Sequence, residues 1–140
     1  MRRSSILPLF ALALLLRPAE ACELVDTATA EQVLGVEVTD LTADPATLCM
    51  FIAPATAAQF LVQTDPGDYY DKVTIPEPHE PADVGEKARS HAFPNGGAAL
   101  QFVTGDLSIT LGVRLPGGRD GRDYLSLLIS VAEEIVEEMD

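Results

Sequence analysis

The stretch Ala98–Val113, AALQFVTGDLSITLGV, reads as two strands joined by Gly105-Asp106, a dipeptide suited to a two-residue hairpin turn. With those two residues as the loop, Thr104 faces Leu107, Phe102 faces Ile109, Leu100 faces Leu111 and Ala98 faces Val113. All of them point to one side of the ribbon. The other side carries Ala99, Gln101, Val103, Ser108, Thr110 and Gly112. A slip of one residue would exchange the faces and expose the apolar set, so the register is strongly specified. One face of the sheet is expected to be core and the other wet.

Further strands are predicted on the N-terminal side. Ala88–Phe93 leads through the turn Pro94-Asn95-Gly96-Gly97 into the hairpin. In Gln59–Thr64, Phe60, Val62 and Thr64 share a face with Ala58, while Gln59, Leu61 and Gln63 take the other. Val36–Leu41 and Leu48–Ile52 make two more, with Ala43–Thr47 turning between them. Asp65-Pro66-Gly67 is expected to break the strand Gln59–Thr64, and Asp68–Val73 to form one helical turn. Thr74–Asp83 carries Pro76, Pro78 and Pro81 and reads as an irregular surface loop.

Helices are predicted at the two ends. Asp26–Gly35 reads as a short one, with Thr27 as N-cap and Gly35 as the left-handed stop. After the glycine-rich connection Leu115–Asp123, a long helix runs to the end. Leu125, Leu128, Ala132, Ile135 and Met139 recur there at helical spacing. Glu133, Glu134, Glu137, Glu138 and Asp140 oppose the helix dipole, so that end is expected to fray. The fold class is α+β. One domain is expected, a mainly antiparallel sheet of five or six strands with the short N-terminal and long C-terminal helices packed on one face.

Residues 1–21 read as a signal peptide. Arg2 and Arg3 are followed by the apolar run Ile6–Leu16, and Ala19-Glu20-Ala21 offers small residues at the two positions that signal peptidase reads. The run is too short for a membrane span of about 20 residues. Cleavage leaves a domain of 119 residues, Cys22–Asp140, with no transmembrane segment. With Arg2, Arg3, Arg17 and Glu20 removed, 6 basic residues face 21 acidic ones, a formal charge of −15 against −13 for the whole chain. Such a surface repels nucleic acid and anionic lipid, so neither is an expected partner. Its bland reading is solubility, and adaptation to high salt is an alternative. The expected location is periplasmic, cell-surface or extracellular.

In an exported protein, Cys22 and Cys49 are read as a disulfide that clamps the first helix to a strand. The alternative is a lipid anchor at Cys22, which would leave Cys49 as a free thiol.

Certain short elements carry a family resemblance. They are the opening Cys22-Glu23-Leu24-Val25, the helix closing at Leu34-Gly35, the pair Cys49-x-Phe51, the element Val84-Gly85-Glu86-Lys87-Ala88, and the terminal strands and helix. Together they resemble the secreted proteins and lipoproteins of actinobacteria grouped as domain of unknown function 3558. That family's lipoproteins carry a separate lipid-bearing cysteine that this chain lacks, which implies a soluble exported form. The resemblance implies no catalytic residues.

Candidate chemistry is sparse. His79 and His91 fall in different elements without metal-ligand spacing. Asp65, Asp68 and Asp71 place three carboxylates within seven residues and are weak candidates for calcium, although the spacing is not that of an EF-hand. Gly117-Gly118-Arg119-Asp120-Gly121-Arg122-Asp123 precedes a helix but lacks the lysine of a phosphate loop, and no Gly-x-Ser-x-Gly elbow is present. No catalytic residue, metal site or cofactor is assigned.

The wet face of the sheet is the remaining lead. Gln59, Gln63, Gln101, Ser108 and Thr110 are the candidate binding residues, on a polar face with few charges that suits a protein or small ligand. On this reading Gln101→Glu weakens partner binding. The expected function is a non-catalytic, monomeric binding domain with an envelope or extracellular partner. The alternatives are a small hydrolase using acidic residues and a calcium-stabilised structural module.

Overall fold

A computed structural model of the chain describes residues 19–73, 75–77, 79–94 and 96–139. The segment 1–21 expected as a signal peptide lies outside the described residues up to position 18. In chain order the elements are α1 (Ala21–Leu24), α2 (Thr27–Leu34), β1 (Thr39–Asp40), β2 (Leu48–Ile52), β3 (Gln59–Pro66), α3 (Tyr69–Lys72), β4 (Glu80–Pro81), β5 (Lys87–Phe93), β6 (Gly97–Thr104), β7 (Leu107–Arg114) and α4 (Leu125–Met139).

The strands form one seven-stranded antiparallel sheet in the order β1-β2-β3-β7-β6-β5-β4. The predicted hairpin lies at its centre. Thr104 pairs with Leu107, Phe102 with Ile109, Leu100 with Leu111 and Ala98 with Val113, as the alternation requires. Every residue of β6 is buried, because it has a neighbour strand on each side and cover on both faces.

The core fills the face that these residues share. Phe60, Val62, Leu100, Phe102, Ile109, Leu111 and Val113 pack there under Val33 of α2 and Leu128, Ala132 and Ile135 of α4. Phe51 stacks on Phe60 with centroids 6.4 Å apart. The two predicted helices share this face. Cys22 and Cys49 are joined by a disulfide, with Cα atoms 5.0 Å apart, which ties α1 to β2 beside the core.

Several local expectations are corrected. The strand expected over Val36–Leu41 shrinks to two residues, Thr39–Asp40. The seventh strand is Glu80–Pro81, inside the segment expected to be wholly irregular; proline is tolerated there because the strand is an edge. β3 does not stop at Thr64 but runs to Pro66, which pairs with Leu107 as the strand's last residue. The cap of α2 is Asp26 rather than Thr27, since its carboxylate accepts both the Thr29 N–H at 2.8 Å and the Thr29 hydroxyl at 2.9 Å. These bonds, the backbone one first, hold the Asp26 carboxyl below the ordinary carboxylate range. An unexpected turn of helix, α1, brings Ala21 into the fold: it is fully buried, and its N–H donates to the Ala46 carbonyl at 2.9 Å. The expected cleavage point after Ala21 therefore falls within an ordered element.

Candidate functional site

The face opposite α2 and α4 is built from four cross-strand rows. One runs Leu48–Gln63–Thr110–Gln101–Arg89, and the next Met50–Leu61–Gly112–Ala99–His91. Outside these lie Asp65–Ser108–Val103–Lys87 and Ile52–Gln59–Arg114. Alternation puts all of them on the side expected to be wet.

Only part of it is wet. Residues 69–73 and Ile75 lie across the face as a strap over the β6 end. Gln101 is 3 % exposed and Ser108 1 % exposed, so neither belongs to an open surface as expected. Gln101 holds the strap: its Nε2 donates to the Val73 carbonyl at 2.7 Å, and its Oε1 accepts from Arg89 Nε at 2.8 Å. Arg89 also donates to the Tyr70 carbonyl, with its guanidinium 3.9 Å from the Tyr70 ring centroid. Tyr70, Ile75 and Val103 are buried outside the main core, in a small second one under the strap. Gly67-Asp68 turns the chain back onto the sheet after β3, and Tyr70 supplies the apolar body that anchors it. Gln101→Glu therefore perturbs the strap and does not report on partner binding.

The remainder of the face is open. Leu48, Met50 and Leu61 stand half-buried, with Gln63 exposed and Gln59 and Thr110 half-buried beside them. The middle of the Met50–His91 row is low, because Gly112 and Ala99 offer almost no side chain. The result is a shallow trough of about 270 Å³, lined on one side by Leu48, Met50 and Leu61 and on the other by Phe93. Phe93 packs edge-on against His91, with ring centroids 4.4 Å apart. Past Phe93 and Arg114 the trough continues into a second hollow of about 410 Å³ beside Pro94 and Gly96. Of the five candidate binding residues, the structure gathers Gln59, Gln63 and Thr110 at this open part and separates Gln101 and Ser108 from it.

The other candidates do not converge. Asp65 accepts from Gln63 Nε2 at 3.1 Å, Asp68 pairs with Lys72 at 2.9 Å, and Asp71 pairs with Lys87 at 3.3 Å. The hydrogen bond from Lys72 lowers the Asp68 carboxyl. Among the described residues, no group of three His, Cys, Asp or Glu side chains is placed to hold a metal. His79 lies 3.9 Å from Glu77, on the loop rather than the sheet. The glycine-rich connection folds as two short 3-10 turns, with Arg122 and Asp120 4.0 Å apart. Every Asp and Glu among the described residues is partly or fully exposed.

Leu48, Met50, Phe93, Gly112 and Arg114 were not expected as site residues. The signal available was the polar side of the hairpin, where Gly112 follows Thr110 in mid-strand. Compared with family models, curated proteins and solved structures, the chain matches none.

Proposed function

We propose that the protein is an exported, non-catalytic binding domain whose recognition surface is the open half of the sheet face turned away from α2 and α4. The observation that carries this reading is the unpartnered group Leu48, Met50 and Leu61 beside Gln63 and Thr110, on a face whose other half the strap covers. Apolar side chains scattered singly on a surface mean little, whereas a contiguous group rimmed by polar residues marks an interaction site. The exposure of every described carboxylate favours binding over the alternative of an acidic hydrolase, which needs buried, convergent acids.

Export is supported by the Cys22–Cys49 disulfide, a bond compatible with an oxidising compartment. It also supports the disulfide over a lipid at Cys22. Among the described residues no helix is long and apolar enough to cross a membrane. The resemblance to domain of unknown function 3558 implies the same compartment and no catalytic group.

The test is a photoreactive phenylalanine analogue at Gln63 or, as control, at Glu133 on the exposed side of α4, in cells that make the protein. Adducts at position 63 and none at 133 are the expected result. Equal labelling at both, or none at either, overturns the reading.

A further inference from the structure

Gly112 has no structural reason to be glycine. Gly97 and Gly121 are forced by close approach: a Cβ would come 1.8 Å from the Val113 carbonyl oxygen at Gly97 and 1.7 Å from the Gly97 carbonyl oxygen at Gly121. Gly35 and Gly105 have φ of +77° and +57°, which favour glycine. At Gly112 φ is ordinary, and a Cβ would rest 3.7 Å from Leu61 Cδ1 and 3.9 Å from the Ala98 carbonyl oxygen, in normal contact. Pairing runs without a bulge from Gln59–Arg114 to Pro66–Leu107 on one side and across β6 on the other. Glycine in the middle of a strand weakens it, and where neither a bulge nor tight packing explains it, it marks a place where a ligand approaches closely. Gly112 forms part of the trough that separates Leu48, Met50 and Leu61 from Phe93.

Arg114 borders the same trough, two residues further along β7 and on the same face. Lys72, Lys87 and Arg122 pair with aspartates, Arg89 with Gln101 and the Tyr70 carbonyl, and Arg119 with the Tyr124 hydroxyl. Among the described residues Arg114 is the one Lys or Arg whose side chain has neither an ion pair nor a hydrogen bond. In a chain of formal charge −13, an unpaired guanidinium beside an apolar trough selects an anion with an apolar body.

Resting on the binding-face reading above, we propose that the trough holds a single-chain aliphatic carboxylate, its acid group on Arg114 and its chain over Gly112 against Leu61 and Met50. The trough runs across the strands, so it offers a guest side chains and not a free strand edge. A peptide laid along it would bring one N–H and one C=O per residue against a lining whose uncharged polar side chains are Gln63 and Thr110. An alkyl chain has no such groups to satisfy. From Arg114 on β7 to Met50 on β2 takes one two-residue step of about 7 Å along the strand and two interstrand spacings of about 4.8 Å, a reach that suits a medium-length chain.

The test is calorimetric titration of the disulfide-bonded domain with sodium dodecanoate, and with dodecan-1-ol and dodecyltrimethylammonium for comparison. Dodecanoate is expected to bind one to one and the cationic chain not at all. Arg114→Gln should weaken dodecanoate by about tenfold or more. Gly112→Val, which suits a strand and fills the trough, should abolish binding without lowering the melting temperature. No binding below about 1 mM, equal binding of the cationic chain, or affinity unchanged by both variants overturns the proposal. Adducts at Gln63 in the crosslinking experiment together with no dodecanoate binding would sink this ligand class alone; loss of both results would sink the binding face as well.

Discussion

Gln101→Leu should loosen the strap while leaving the main core intact. The wild-type amide donates to the Val73 carbonyl at 2.7 Å and accepts from Arg89 Nε at 2.8 Å. A neutral hydrogen bond contributes about 1 kcal/mol net and one to a charged group about 2 kcal/mol. Leucine is similar in size and recovers a fraction of this through contact with Ala99 and Val103, leaving a loss of about 2–3 kcal/mol. For a domain of this length that lowers the melting temperature by roughly 8–12 °C, at about 4 °C per kcal/mol. Urea unfolding gives the global value. Hydrogen exchange at the Tyr70 and Val73 amides, which bond to the Gly67 and Tyr69 carbonyls, gives the local one. Both amides should exchange faster than in the wild type, and the amides of β6 should speed up less than those in the strap. Gln63→Leu is the control: that residue is exposed and bonds to Asp65 alone, so it should stay within about 0.5 kcal/mol of wild type. A loss below about 0.5 kcal/mol for Gln101→Leu, or unchanged exchange at Tyr70 and Val73, would refute the strap's dependence on this amide.

Reducing the Cys22–Cys49 bond, which spans 27 positions, should cost about 3.6 kcal/mol on the chain-entropy estimate; urea midpoints with and without reductant check it, and a change below about 1 kcal/mol contradicts it. Asp26→Ala should cost about 1 kcal/mol through the lost N-cap. Because the folded Asp26 carboxyl lies below its unfolded value of about 3.9, its stabilisation is complete above that pH and disappears as pH falls through the lower folded value. Asp26→Asn keeps the cap, so its stability should fall less steeply with acid than the wild type's; parallel acid titrations of stability would disprove the linkage. Gly121→Ala should cost more than about 3 kcal/mol, since the Gly97 carbonyl oxygen lies 1.7 Å from the new carbon, whereas Gly112→Ala should be neutral or stabilising by roughly 0.5 kcal/mol. Equal melting temperatures for these two variants would overturn the distinction between a glycine that packing forces and one that it does not.

The central sheet was legible because two local signals agree. Gly105-Asp106 fixes the turn, and the alternation of Leu100, Phe102, Ile109 and Leu111 admits one register without exposing the core. The long C-terminal helix was legible from 3.6-residue spacing for the same reason: a pattern over fifteen residues outweighs any single position. What failed was short and depended on tertiary contact. α1 is four residues long and exists because Ala21 and Cys22 bond to Ala46 and Pro45 while the disulfide holds them there. No helical spacing can announce one turn. The extension of β3 through Pro66 was hidden by a real local preference, overridden because Leu107 was waiting as its partner.

The misreading of Gln101 concerns function more directly. An alternating hairpin states which side chains share a face and is silent about what lies on top of it. Gln101 and Gln63 have the same chemistry and occupy the same row, one strand removed from each other through Thr110. One is 3 % exposed and the other open because residues 69–73 and Ile75 lie over β6 and not over β3. That asymmetry separates the two halves of the face physically. Under the strap, the Gln101 amide is hydrogen-bonded at both its nitrogen and its oxygen, and the apolar groups Tyr70, Ile75 and Val103 exclude water. Beyond it, Leu61 and Met50 remain half in water next to a glycine that could carry a side chain at no steric cost. A larger residue at position 112 would strengthen the strand and cover apolar surface. Stability alone thus favours filling the trough, and its emptiness is the feature that binding explains and folding does not.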